Sequence, residues 1–164
     1  MQLVLIRHAR AEERTLFKRD RTRALTEDGR RRMRKAARGL QTLLPGLTQI
    51  ATSPLLRARQ TAEVVAALYD GVEVVAVPAL SPGTAPRAIL AWLRAQPNDA
   101  VLALVGHEPD LGQLASWLLV GRPAGFVQFK KGAAALIEFA AAPAAGKGTL
   151  AWLLTAAQLA EIRD

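Results

Sequence analysis

The chain has 164 residues and no cysteine, with 22 Lys and Arg against 14 Asp and Glu for a formal charge of +8. That length suits one folded domain over 1–164, and 51% hydrophobic residues argue against disorder. The lack of Cys excludes disulfides, a thiol nucleophile and thiolate metal sites, and it suits a cytoplasmic protein. No apolar run is long enough to span a membrane, and no basic segment precedes the short run Leu3 to Ile6, so no signal peptide is expected.

In chain order, residues 2–7 read as a short buried strand and 8–24 as a polar, charged loop. Thr26 has the chemistry of an N-cap, followed by Glu27 and Asp28, whose charge suits a helix start. Met33, Ala36, Ala37, Leu40, Leu43 and Leu44 keep helical spacing until Pro45-Gly46. Residues 47–52 predict a second strand. Ser53-Pro54 reads as an N-cap with proline at the first helical position, opening a helix that reaches about Tyr69. Asp70-Gly71 turns the chain into a strand over 72–77, and 80–86 is a loop. A helix over 86–96 carries Ile89, Leu90, Trp92 and Leu93 on its apolar side. Asn98-Asp99 is a turn, and "AVLALVG" at 100–106 is apolar throughout, as a central parallel strand is. Pro109 to Val120 predicts a helix. Residues 133–139 and 149–155 bracket a Pro/Ala/Gly turn and predict an antiparallel pair.

Strands alternating with helices imply an α/β fold of three layers, αβα, around a mostly parallel sheet of about six strands with an antiparallel strand near the C-terminus. Ligands of such sheets bind at the carboxyl ends of the strands. The chain has only two histidines, and both fall there. Arg7-His8 ends the first strand, and His107 ends the strand at 100–106. Ser53 ends the second strand and leads into Arg57 on the first turn of the next helix. Three separated stretches therefore converge on one edge.

Two imidazoles and two guanidiniums beside helix starts make an anion site. Guanidinium forks match phosphate oxygens, and free helix N–H groups add donors. A neutral histidine there is a competent phosphoryl acceptor, and neighbouring Arg charge favours its neutral form. The second histidine, once protonated, can stabilise charge on the transferring group. Read singly, each residue has a plainer explanation, such as a strand-end polar residue or a structural ion pair. The joint pattern is what carries the reading.

The segments "LIRHARAE", "ALTEDG", "TSPLLRARQTAE" and "LVGHEPDL" resemble the histidine phosphatase superfamily, the branch of phosphoglycerate mutase-like enzymes. Length and the "SPLLRARQT" segment most resemble its small bacterial phosphohistidine phosphatases, the SixA type. The resemblance implies a nucleophile at His8, phosphate-clamping arginines at Arg7 and Arg57, and a second pocket histidine at His107. It also implies a substrate-binding role for Arg23. Lys131, with Lys130, is placed to rim the pocket, although both also read as solvated charges.

Two departures matter. Ala9 stands where the family has Gly, which is harmless unless the backbone there needs a positive φ. "PALSPGTAP" at 78–86 holds no acid, whereas mutase-like relatives carry their general acid in that loop. The gap disfavours alkyl phosphate esters, whose leaving alkoxide needs a proton. It suits a phosphoramidate such as phosphohistidine. Glu108, directly after His107, is the candidate substitute donor, or else a favourable charge at a helix start.

The expected partner is a phosphorylated protein carrying phosphohistidine, or a small phosphorylated metabolite. An inactive phosphoanion-binding module is the reading from a different class. Half of the Lys and Arg lie in 14–23 and 29–38, which reads as a solvated helix face plus a charged loop. With only 5% aromatics, a nucleic-acid stacking surface is poorly supported. "AAGKGTL" at 144–150 imitates a phosphate loop but precedes a strand and lacks the first glycine. No metal, cofactor or membrane contact is expected, and a monomer is expected because no surplus apolar segment stands out.

Overall fold

The computed structural model describes residues 1–14 and 19–162. Residues 15–18, part of the expected loop and of the basic stretch 14–23, lie outside the described residues, as do 163–164. Among the described residues six strands form one sheet: β1 Gln2–Arg7, β2 Gln49–Thr52, β3 Glu73–Ala76, β4 Val101–Gly106, β5 Ala134–Glu138 and β6 Thr149–Leu154. Their order is β3-β2-β4-β1-β5-β6. The first four run parallel, β5 runs antiparallel to β1, and β6 runs antiparallel to β5.

Helices cover both faces. On one face α1 (Glu27–Leu43), α2 (Leu56–Ala66) and α5 (Ala156–Glu161) pack on Val4, Ile6, Ile50, Ala103, Val105 and Leu136. On the other, α3 (Arg87–Arg94) and α4 (Asp110–Val120) pack on Leu3, Leu5, Leu102, Leu104 and Ile137. Leu3 to Ile6 are fully buried because β1 lies inside the sheet with a helix layer on each side. That explains its unbroken apolar run, where a half-exposed strand would alternate. Among the described residues, no helix is long and apolar enough to cross a membrane.

Local chemistry sets most element ends. Thr26 caps α1, its Oγ1 accepting from Gly29 N at 3.0 Å. Gly121 closes α4 at φ 79°, a conformation that favours glycine. Several expectations need correction. Ser53-Pro54 does not open α2. The helix starts at Leu56 after Leu55, and it stops at Ala66 rather than Tyr69. Leu43 lies at the end of α1 and is exposed, while Leu44 is buried. In α3, Ile89 and Leu93 are buried, whereas Leu90 and Trp92 are only half-buried. The loop over 8–24 holds order of its own: Ala11 bridges Leu25, and Asp20–Thr22 forms a 3-10 turn.

Register brings the strand ends level. Arg7 pairs with Gly106, and Thr52 pairs with Val105. The ladder runs one residue further, with His8 N donating to Gly106 O and Ser53 N to Val105 O, both at 3.0 Å. His8, Ser53 and His107 are therefore neighbours by strand geometry.

Candidate active site

His8 is buried, 7% exposed, at the exit of β1. Its Nδ1 lies 2.7 Å from the Ala9 carbonyl oxygen, which can only accept, so Nδ1 carries the ring hydrogen. Nε2 is left with its lone pair, and Arg57 Nε donates to it at 3.3 Å. Ala9 N donates to Thr61 Oγ1 on α2 at 3.1 Å, fixing the turn after the strand. No residue other than glycine among those described has a positive φ, so the backbone at Ala9 makes no demand for glycine.

Arg57 is 4% exposed on the first turn of α2. Its Nη1 donates to the Asp20 carbonyl oxygen at 2.8 Å and its Nη2 to Asp20 Oδ2 at 3.1 Å. Arg23 holds the other carboxylate oxygen, Nε to Oδ1 at 2.9 Å, and its Nη1 donates to Glu12 O at 2.7 Å. Arg14 approaches the same oxygen at 3.3 Å. Partial burial pushes the Asp20 carboxyl up, but hydrogen bonds and charge from Arg23 and Arg57 outweigh it and hold it at about 2. Asp20 is ionised, and it organises the guanidiniums. Sequence reasoning missed it, although one signal was available: it is the only acid in "RTLFKRDRTR".

His107 is 4% exposed, with its ring centroid 5.1 Å from that of His8. Its Nε2 sits 2.8 Å from Ser53 Oγ, which also accepts from Leu55 N at 3.3 Å. The contact is met either by Nε2–H donating to the Ser53 oxygen, which can accept two bonds, or by the Ser53 O–H donating to Nε2, and the second arrangement places the ring hydrogen on Nδ1. That Nδ1 is buried without a partner. Ser53 thus orients a histidine rather than capping a helix. Arg7 donates from Nη1 to Phe129 O at 2.6 Å, and its Nε is also buried without a partner. Unsatisfied buried donors are uncommon, and a bound phosphate oxygen is a ready acceptor.

Both imidazoles are neutral in the free site. Burial chiefly, with the charges of Arg57, Arg7 and Lys131, pushes His8 down to about 4 against the bond to Ala9. Burial, His8 and Arg57 push His107 down to about 3.

A cleft of about 340 Å³ joins Arg7, His8, Arg57, His107, Glu108, Arg23 and Lys131 with Asp20 and Arg14. Arg7, His8, Arg23, Arg57, His107, Glu108 and Lys131, all nominated from the sequence, line it. Lys130 does not, and lines an adjoining groove instead. Glu108 Oε1 accepts from Phe129 N at 2.7 Å, tying the start of the α4 segment to the strap before β5. Among the described residues, no three His, Cys, Asp or Glu side chains gather as metal ligands.

An α/β sheet carrying paired histidines and arginines at its carboxyl edge is built for a phosphate-sized anion. A model of the histidine phosphatase superfamily, branch 1, matches residues 3–81. An uncharacterized protein of Picosynechococcus sp. is 42% identical over 134 residues, covering 80% of this chain and 81% of that one. The structure of the protein histidine phosphatase SixA complexed with tungstate matches at a TM-score of 0.81 with 28% identity, over 97% of this chain and 99% of that one. A proposed phosphohistidine phosphatase SixA from Nakamurella multipartitia matches at 0.77 with 27% identity, over 93% and 94%. The chain belongs to the histidine phosphatase superfamily, and its likeness to the SixA proteins supports a phosphatase of that family. A phosphoserine phosphatase from Entamoeba histolytica, at 15% identity and a TM-score of 0.68 over 96% and 98%, shares the fold alone.

Proposed function

We propose that the chain removes phosphoryl groups from phosphohistidine in a protein, using His8 as nucleophile. One observation carries this reading. His8 Nδ1 is committed to the Ala9 carbonyl, which leaves the Nε2 lone pair beside Arg57 and opposite His107.

In the proposed reaction Nε2 attacks phosphorus, and the bond from phosphorus to the substrate nitrogen breaks. The substrate imidazole leaves with its electron pair and takes a proton. Water then attacks the phosphoryl group on His8, the new P–N bond breaks, and inorganic phosphate departs. Arg7, Arg57 and His107 Nδ1–H donate to the equatorial oxygens, where preorganised charge contributes most to phosphoryl transfer. Arg57 must exchange its contact with the Nε2 lone pair for one with the incoming oxygen. Arg23 acts on substrate through Asp20, and Lys131 adds positive charge at the rim.

The leaving group decides the substrate class. Two carboxylates line the cleft among the described residues, Asp20 and Glu108. Asp20 stays ionised and cannot donate a proton. Glu108 remains the candidate donor for an ester. A phosphoramidate nitrogen has less need of one, because it can be protonated before departure.

The test is a paired assay with wild type, His8→Ala and Glu108→Gln. The substrates are a phosphohistidine-bearing phosphotransfer domain and an aryl or sugar phosphate. The expected result is His8-dependent release from phosphohistidine, little affected by Glu108→Gln. Efficient sugar phosphate turnover that collapses in Glu108→Gln would move the metabolite reading ahead. Phosphate binding without turnover of either substrate would leave a binding module.

A further inference from the structure

A second concavity of about 570 Å³ lies beside the phosphate cleft, between α1, α5 and the turn that precedes β5. Its rim carries Arg10, Arg31, Arg32, Lys35, Lys130 and Lys131. Its apolar lining includes Met33, Ala156 and Ala160. Charge there is poorly compensated. The single carboxylate of Asp28 meets Arg10 at 4.0 Å, Arg32 at 2.8 Å and also Arg31. Among the described residues Lys35, Lys130 and Lys131 make no ion pair, and Glu161 is the only acid of the lining. All six cations are exposed.

The groove is joined to the site by covalent and hydrogen-bonded structure. Ala9, the residue after His8, lines it, and Lys131 lines both groove and cleft. Gly132 N donates to Arg7 O at 3.1 Å and to His8 O at 3.3 Å, so the Lys130-Lys131 turn is held against the backbone of the site. A chain seated in the groove would lie alongside the entrance to His8.

We propose that this groove docks an acidic segment of the phosphoprotein substrate and sets which proteins present their phosphoryl group to His8. The inference rests on the phosphoprotein reading above. Charge complementarity supplies the attraction and steers encounter. The apolar lining suits the uncharged side of an amphipathic segment. Among the described residues no aromatic side chain lines the groove, so stacked bases find no platform there, and a protein occupant fits better than a nucleic acid.

The test compares wild type with Arg32→Glu/Lys35→Glu, two exposed positions on α1 outside the phosphate cleft. Substrates are a synthetic phosphohistidine peptide flanked by glutamates, its counterpart flanked by serines, and an aryl phosphate. The charge reversal is expected to lower kcat/KM on the glutamate peptide by about tenfold or more, with the other two substrates within about twofold. Equal loss on both peptides, or no wild-type preference for glutamate flanks, overturns the proposal. Arg32→Gln/Lys35→Gln, expected to lie between, separates lost attraction from misfolding.

Binding of the unphosphorylated glutamate peptide, followed by fluorescence anisotropy, needs no turnover. Groove-dependent binding without phosphohistidine hydrolysis sinks the catalytic reading and keeps the groove. Hydrolysis with anisotropy alike in wild type and variant sinks the groove alone. A single-stranded oligonucleotide that binds this surface more tightly than the peptide at equal salt overturns the protein occupant.

Discussion

Two imidazoles buried among guanidiniums stay neutral at pH 7, and this shapes the chemistry of the site. Neutral His8, the proposed nucleophile, has its reactive nitrogen selected by the Ala9 carbonyl. Because the chain has two histidines, their imidazole nitrogen spectra are open to direct assignment. The expected spectrum shows both rings neutral from pH 8 down to about 5.5, each with its hydrogen on Nδ1, since His8 is held at about 4 and His107 at about 3. Titration of either ring near its ordinary value of about 6.5 would contradict the burial argument. At this scale the sequence was informative where a residue type is rare. Two histidines and an Arg-His pair at strand ends could be read directly. Asp20 and Ser53 could not, because their roles depend on partners 37 and 54 residues away. The Ser-Pro step also mimicked a helix cap.

Among the elements, α5 was invisible in the sequence. It spans Ala156–Glu161, too short to show periodicity, and Leu159 is its one buried residue. What builds it is a cap and a close approach. Thr155 and Gln158 form a capping box, with Thr155 Oγ1 accepting from Gln158 N at 3.3 Å and Gln158 Oε1 accepting from Thr155 N at 2.9 Å. Gly39 of α1 faces the Leu159 carbonyl so closely that a Cβ there would collide with it. Gly39→Ala should therefore force α5 off α1 and cost about 1–3 kcal/mol, read as a lower denaturation midpoint. Thr155→Ala should cost about 1 kcal/mol through the lost cap. An unchanged midpoint in Gly39→Ala would mean that α5 does not seat on α1 in solution. The long elements were legible because β1, β4 and α1 follow period and burial rules that act locally. The start of α2 was not, since tertiary bonds of Ser53 override its local signal.

For the whole molecule, the buried histidines couple folding to pH. Between their folded values, about 3 and 4, and the ordinary 6.5, the unfolded chain binds protons that the folded chain refuses. Stability therefore rises with pH across that window and is complete above it. It is lost as pH falls, by up to about 1.4 kcal/mol per pH unit for each such group. Asp20, held at about 2 against an ordinary 3.8, adds the same sign lower down. Thermal midpoints between pH 4 and 7 should fall more steeply in wild type than in His107→Asn. Parallel curves would remove His107 from the linkage. The three-layer architecture and its edge of convergence were readable from the alternation of strands and helices. The groove beside the cleft was not, because it is made by elements that meet only in three dimensions.

The most direct test of the central claim is to trap the phosphoenzyme. Protein exposed briefly to a phosphohistidine substrate is quenched in alkali, which preserves phosphohistidine, and the labelled peptide is mapped. The expected result is one phosphoryl group on Nε2 of His8, absent in His8→Ala and present in Arg32→Glu/Lys35→Glu. Phosphate on His107, or turnover with no phosphohistidine at His8, would contradict it.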